Sequence, residues 1–317
     1  MRTLVTGGAG FIGSHVVDAL LAAGHEVTVV DNLATGSPAN VRDGVELVEV
    51  DVCDREMITA VFRRIKPSTV FHLAAQTLVA RSSSDPLRDA QINVIGTLIV
   101  ARAAIAAGAG KLVFASSGGT VYGNPRQQPV PETHVLDPIS PYGVSKVAGE
   151  HYIRVLCGHA GIANTILRYG NVYGPRDIPA SQHVITAFLH ALLNGQRPVI
   201  EWDGEQAKDY VYVGDVAAAH VCALTAGDGE AFNVASGREI SVNEIFRLVC
   251  REMEVTVDPL RRERREADVR RFVHDCTKAD RMLGWTPVTD IADGLRKTVR
   301  YYRNLANLRR VDALTLH

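Results

Sequence analysis

The 317-residue chain has no C-x-x-C pair, and its five cysteines (Cys53, Cys157, Cys222, Cys250 and Cys276) are an odd number scattered along it. That argues against a disulfide framework and against a cysteine-based zinc site, and it suits a reducing compartment. An excess of one charge is also missing. The chain sets 34 Lys plus Arg against 35 Asp plus Glu, so it exerts no general attraction on nucleic acid or anionic lipid. No apolar run is both long and unbroken. The most apolar stretch, Ile92 to Ala109, is interrupted by Asn93, Gly96 and Arg102, and reads as a core or interface helix rather than a membrane span. No targeting segment is expected before the first strand, no Gly-, Ser- or Pro-rich linker divides the sequence, and no repeat or low-complexity tract occurs in it. No His, Cys and Asp spacing suggests a metal, so none is expected. Aromatics are sparse at 6%, but 46% of residues are hydrophobic, enough to exclude disorder and to build one large domain or two modest ones. The expectation is a cytoplasmic α/β enzyme with no nucleic-acid or membrane partner.

The first half alternates short apolar runs with helical patterns. Strands are expected at Leu4–Thr6, Glu26–Val30, Val45–Val50, Thr69–Leu73, Lys111–Ala115 and Asn164–Arg168, with helices near 11–23, 55–64, 87–107 and 141–159. Such alternation predicts a Rossmann-type, doubly wound parallel sheet covered on both faces. Beyond Tyr169, Pro175, Pro179 and Pro198 break the pattern into shorter pieces. A smaller, mixed α/β C-terminal lobe is expected there, for substrate. The division is placed at 1–172 and 173–317, with segments near 214–236 and 288–306 returning to the first domain.

Thr6-Gly7-Gly8-Ala9-Gly10-Phe11-Ile12-Gly13 joins the first strand to the first helix. Glycines at 7, 10 and 13 allow a tight turn and a close backbone approach to a pyrophosphate, which the helix N-terminus attracts. Asp31 follows Gly13 by 18 residues, at the end of strand two. A carboxylate there accepts from an adenosine ribose and repels a 2′-phosphate, so the cofactor expected is NAD rather than NADP. Further on, Tyr142-Gly143-Val144-Ser145-Lys146 places a phenol and an ammonium four apart, on one helical face. A neighbouring ammonium favours phenolate, which makes Tyr142 a candidate general base with a lowered pKa.

These pieces resemble, in order and over nearly the whole chain, the extended short-chain dehydrogenases/reductases, in particular their nucleotide-sugar epimerase/dehydratase branch. The matching segments are Thr6–Gly13, Asp31-Asn32-Leu33, Asp51-Val52, His72-Leu73-Ala74-Ala75-Gln76, Asn93, Ser116-Ser117-Gly118-Gly119-Thr120-Val121-Tyr122-Gly123, Pro141–Lys146 and Arg168-Tyr169-Gly170-Asn171-Val172-Tyr173-Gly174-Pro175. Later come Asp209–Val213, Asp275-Cys276-Thr277-Lys278-Ala279 and Leu283-Gly284-Trp285. The resemblance implies that Tyr142 takes the sugar 4-OH proton while hydride passes to NAD, and that Lys146 holds the cofactor ribose and tunes Tyr142. It also implies a Ser or Thr bonded to the same hydroxyl. Ser117 fits best, with Ser116 and Thr120 still open. Gly7, Gly10, Phe11, Ile12, Gly13, Asp31 and Asn32 would hold the cofactor, Asp51 and Val52 would border its adenine, and Leu73, Ala74, Ala75, Gln76 and Asn93 would line its path. Tyr169 would approach the nicotinamide.

On the substrate side the resemblance implies Asn171 at the nucleotide-sugar phosphates, Thr120 near the sugar and Phe272 as a bulky gate that leaves little room for an N-acetyl group. Arg265-Glu266-Ala267-Asp268-Val269 resembles a phosphate-gripping Arg-Pro-Gly-Glu/Asp-Val segment, which makes Arg265 and Asp268 candidates. Lys208 stands where the family usually has Arg, and His183 where it often has Gly; His183 has no assigned role at this stage. Water elimination needs an extra proton donor, which dehydratases carry just before Val-Tyr-Gly. Here that place reads Ser117-Gly118-Gly119-Thr120, with no carboxylate. The expected reaction is therefore NAD-dependent C4 epimerisation of a UDP-linked sugar, UDP-glucose/UDP-galactose first, through a transient 4-keto intermediate. The same chemistry on UDP-glucuronate, a dehydratase, and a non-catalytic NAD or nucleotide-sugar binding protein are the alternatives. Long helices near 87–107 and 141–159 imply a homodimer, as relatives pair them into a four-helix bundle.

Overall fold

The structure, a computed structural model, describes residues 1–263 and 270–315. Its first half runs β1 (Arg2–Thr6), α1 (Phe11–Ala22), β2 (Glu26–Asp31), β3 (Glu46–Glu49), α2 (Arg55–Ile65), β4 (Thr69–His72), α3 (Val79–Ser84), α4 (Pro86–Ala90), α5 (Thr97–Ala106), β5 (Lys111–Ser117), α6 (Gly118–Val121), α7 (Pro141–Ala160) and β6 (Ala163–Tyr169). After it come β7 (Asn171–Tyr173), α8 (Val184–Leu193), β8 (Val199–Glu201), β9 (Ala207–Tyr212), α9 (Val213–Cys222), β10 (Glu230–Val234), β11 (Glu239–Ser241), α10 (Val242–Met253), β12 (Leu260–Arg262) and α11 (Ile291–Thr315).

Seven strands form one parallel sheet in the order β10-β6-β5-β4-β1-β2-β3. The order reverses between β1 and β4, the switch point at which such sheets bind ligands beyond their strand ends. Alternation along β1 assigns each face its core. Val5 joins Val27 and Val29 against Val16, Val17 and Leu20 of α1 and Val216 of α9. Leu4 joins Val30 and Val70 against Ile58 and Phe62 of α2, Val100 of α5 and Ile153 of α7. The other lobe has its own core, where Phe188 of α8, Ile245 of α10 and Leu295 of α11 pack together, with small sheets β11-β9-β7 and β12-β8 beside them. The chain beyond 172 also returns to the main sheet through β10 and α9.

The helix expected near 87–107 differs from the sequence pattern, whereas the one expected near 141–159 is present over Pro141–Ala160. The helix expected as one piece near 87–107 begins at Pro86 and contains a π-helical turn, Gln91–Gly96, before α5. The wider turn accompanies Asn93, whose side chain bonds out of the helix to Gln76 and back along it to Asp89. By length and composition Pro86–Ala106 could pass for a membrane span; here 44% of that window is buried in the fold. Helix α7 starts on Ser140, whose hydroxyl accepts from Gly143 N–H at 3.1 Å, with Pro141 in its first turn, and stops at Gly161 in the left-handed region. That fixed start sets the height of Tyr142 and Lys146 above the sheet.

Candidate functional site

The β1–α1 turn is closely built. A Cβ on Gly13 would lie 2.0 Å from the Gly7 carbonyl oxygen, and one on Gly7, at φ +72°, would lie 2.7 Å from Ala74 N. Gly10, the N-cap of α1, has no side chain to cap with, so the first amides of the helix are left for an anion. At the end of β2, Asp31 accepts from Ala9 N–H at 3.0 Å and from Leu33 N–H at 2.9 Å. Burial raises its pKa, and the backbone donors Leu33, Ala9 and Gly10 oppose the rise. Asn32 donates to Asp51 at 3.0 Å. Burial would raise Asp51, but Cys53, Asn32 and Arg88 outweigh it and hold the carboxyl below its ordinary range. Val52 packs under Gly96, where a Cβ would come within 2.9 Å of it. A glycine turn no side chain can enter, with an acid one strand over, fits the diphosphate and ribose of a dinucleotide.

After β4, Leu73 N–H bonds the Thr6 carbonyl at 3.1 Å, and Ala74 and Ala75 lead into Gln76. Gln76 is fixed by Asn93 on both backbone atoms and by the buried Asp89, which also takes Ser145 Oγ–H at 2.7 Å. Asp89 is a positioning group the sequence reading missed. The available signal was its place four residues before Asn93, on the same helical face.

Register pairs Ser117 with Tyr169 and Ser116 with Arg168 across β5 and β6. The Ser117 hydroxyl stands beside the Tyr142 phenol and pulls its pKa down. Ser116 bonds Glu150 at 2.5 Å instead, and Thr120 turns back to the Ser117 carbonyl at 3.4 Å. Lys146 Nζ donates to the Ala115 carbonyl at 2.9 Å and lies 5.8 Å from the Tyr142 ring centre. Burial lowers Lys146 to about 8, with Asp89 and Glu150 opposing. The expected lowering of Tyr142 is not what the protein's own groups produce. Burial raises the phenol, the Ser117 hydroxyl pulls it down and the Asp89 charge pushes it up again. Beneath this site Glu150 and Arg168 form a buried ion pair at 2.6 Å, which the sequence reading also missed.

Tyr169 is buried, and its hydroxyl bonds His220 Nε2 at 2.8 Å. His220 Nδ1 faces the Val216 carbonyl, so Nε2 is the acceptor and Tyr169 donates. Asn171 is exposed, its amide 3.4 Å from the Asp209 carbonyl. Phe272 is buried between the rings of Tyr122 and His274, at 6.3 and 4.8 Å. Arg265 and Asp268 lie outside the described residues. Among the described residues no group of three His, Cys, Asp or Glu could hold a metal.

A phenol, a hydroxyl and an amine converging beside a dinucleotide cradle can move a proton where a hydride leaves. That is the equipment of a nicotinamide-dependent oxidoreductase site on a Rossmann sheet. The model of the NAD dependent epimerase/dehydratase family matches residues 3–235, and the chain belongs to that family. It is 42% identical over 303 residues to a putative UDP-glucose 4-epimerase of Methanocaldococcus jannaschii, covering 95% of this chain and 98% of the other. It is also 42% identical over 311 residues to the UDP-glucose 4-epimerase of Mycolicibacterium smegmatis, covering 96% and 99%. The crystal structure of a Thermotoga maritima UDP-glucose 4-epimerase with UDP-glucose matches with a TM-score of 0.94 at 43% identity, covering 96% of this chain and 99% of that one. A Thermus thermophilus UDP-glucose 4-epimerase in complex with NAD matches with a TM-score of 0.90 at 41% identity, covering 96% and 99%.

Proposed function

We propose that this chain is an NAD-dependent UDP-glucose 4-epimerase, interconverting UDP-glucose and UDP-galactose. The observation that carries the choice of reaction is the segment Ser117-Gly118-Gly119-Thr120, which has no acid beside the reacting centre. The nearby buried carboxylates are already engaged, Asp89 by Gln76, Asn93 and Ser145, and Glu150 by Arg168 and Ser116. Proton transfer at the hydroxyl is thus provided for, and proton transfer at carbon is not. The full-length relatives named for the same reaction support this reading.

In this reading Tyr142 takes the 4-OH proton, Ser117 orients that hydroxyl, and Lys146 holds the cofactor ribose. NAD⁺ when bound supplies the hydride acceptor and a positive charge that favours the phenolate. Gly7, Gly10, Phe11, Ile12 and Gly13 cradle its diphosphate, Asp31 and Asn32 its ribose, and Asp51 and Val52 border its adenine. Leu73 to Gln76, Asn93 and Tyr169 shape the nicotinamide end. Thr120, Asn171 and Phe272 face the nucleotide sugar, with Arg265 and Asp268 as its further contacts. The 4-keto sugar would turn over, so that hydride returns to the opposite face of C4 while Tyr142 gives its proton back to the C4 oxygen. The protein works in the cytoplasm as a homodimer. Leu87, Val144, Tyr152 and Val155 stand exposed on α4 and α7, the helices assigned to that contact.

The reaction is tested with a panel of UDP- and dTDP-sugars in D₂O, followed by NMR and mass spectrometry. C4 inversion of UDP-glucose with no deuterium on carbon is expected. Stoichiometric deuterium on carbon, or loss of water from the product, would replace epimerisation by elimination. Light scattering checks the dimer: a 34.3 kDa particle at micromolar concentration removes it.

A further inference from the structure

Gly118 opens α6 directly after Ser117, and it has no positive φ that would ask for glycine. Space asks for it instead. A Cβ at 118 would overlap Nε2 of His274, come within 2.9 Å of that ring's Cδ2 and lie 3.1 Å from the Tyr169 carbonyl oxygen. His274 is buried, and so is its partner Asp209 on β9. Asp209 Oδ2 accepts from His274 Nδ1 at 3.2 Å and from the His274 backbone N–H at 3.1 Å. A carboxylate only accepts, so Nδ1 carries a proton and the ring's orientation is fixed. Asp209 is itself held by the amides of Ser236 and Gly237, at 2.7 and 3.1 Å. Phe272 and Tyr122 flank the ring, at 4.8 and 6.5 Å between centres. Nε2 has no hydrogen-bond partner among the described residues. Buried polar atoms are almost always paired. Here the buried nitrogen is aimed at the bare Cα of Gly118.

We propose that His274 is a positioning residue for the reaction: its ring, aimed by Asp209, is the stop against which the Ser117–Gly118 turn rests, and it sets the Ser117 hydroxyl beside Tyr142. The unpaired nitrogen is part of this device. A donor able to pair with it would have to enter between the ring and the turn, and that would lift the turn off its stop. Any side chain at 118 is refused for the same reason. Packing therefore excludes a carboxylate at 118, one of the places before Val-Tyr-Gly where an extra proton donor for elimination would stand. Through Asp209 the stop is anchored on β9, outside the seven-stranded sheet that carries Ser117. The catalytic hydroxyl is thus fixed from both sides, by its own strand and by a group from a separate sheet. The inference rests on the reading of Ser117 as the hydroxyl that orients the sugar 4-OH.

Steady-state kinetics on UDP-glucose and UDP-galactose, with calorimetry of NAD and UDP binding to the full chain, test it. His274→Asn keeps a donor for Asp209 and removes the far side of the ring. Its kcat should fall about ten- to a hundred-fold, as a group near the reacting atoms is misplaced, while KM and both affinities hold. Gly118→Ala should show the same split. The two losses should not add, because Asn at 274 gives the new methyl room: the double variant should turn over faster than Gly118→Ala alone. In a Ser117→Ala background His274→Asn should cost nothing further, since the hydroxyl it places is gone. Wild-type kcat in His274→Asn, or an equal loss with and without the Ser117 hydroxyl, would overturn the proposal. So would a double variant no faster than Gly118→Ala. Unfolding of His274→Asn, read by circular dichroism, would make the ring a core element and overturn it as well. If Ser117→Ala itself keeps wild-type turnover, the reading of Ser117 fails, and this inference with it.

Discussion

At the scale of single residues, three hydroxyls competed for one role, and strand geometry separates them. Consecutive residues of β5 point to opposite faces. Ser117 meets Tyr142, whereas Ser116 is held by Glu150 and Thr120 by a backbone carbonyl. The motif alone left the three open because an inserted glycine blurs the count from Val121 backward. The lowered phenol expected from Tyr-x-x-x-Lys shows a different limit. Spacing reports the neighbouring amine but not the burial of both groups, and burial dominates here. Tyr142→Phe keeps the ring in its pocket and deletes only the acid–base oxygen. Turnover should fall about 10²–10⁴-fold with NAD affinity unchanged. Calorimetry and single-turnover kinetics on the same preparation check both halves, and near-wild-type turnover would take Tyr142 out of the mechanism.

At the scale of elements, the strand–turn–helix run was legible because glycine spacing and hydrophobic period agree there. All six expected strands of the first half are present, and their boundaries shift by at most two residues. The sequence did not announce α3, the π-helical turn or β10 as the sheet's outer strand, since each depends on distant partners. The π-helical turn accompanies Asn93 reaching Gln76 and Asp89, and β10 pairs with β6 from 61 residues further along the chain. The cradle itself is tested at Gly13. A methyl group there would sit 2.0 Å from the Gly7 carbonyl, so Gly13→Ala must open the turn that the diphosphate fits. A loss of NAD affinity of about ten-fold or more is expected, with the far-ultraviolet circular dichroism preserved. Unchanged affinity would show that the turn is not where the cofactor binds.

At the scale of the whole molecule, the sheet buries two histidines in neutral form, and they tie its stability to pH. His72 Nε2 lies 3.0 Å from Thr97 Oγ1, whose own proton goes to the Asn93 carbonyl, so Nε2 donates and Nδ1 accepts from Thr6. His220 is satisfied in the same way by Val216 and Tyr169. Burial lowers His72 to about 3, helped by the Lys146 charge, and lowers His220 to about 4, against a Val216 bond that opposes it. In the unfolded chain both return toward 6.5. The unfolded state therefore binds more protons than the folded state between pH 6.5 and about 4, and stability rises with pH across that window. The contribution is complete above 6.5 and is lost progressively as pH falls toward the folded values. Two such groups give a slope approaching about 2.7 kcal/mol per pH unit. Urea unfolding from about pH 7.5 to about pH 5, above the ordinary carboxylate range, reads it on top of the contribution of His15, whose pKa burial also lowers. His220→Gln should take up to about 1.4 kcal/mol per pH unit off the slope while costing stability at neutral pH through its lost bond to Tyr169. A flat stability profile over that range for the wild-type protein would mean that the two imidazoles are not held neutral by the fold.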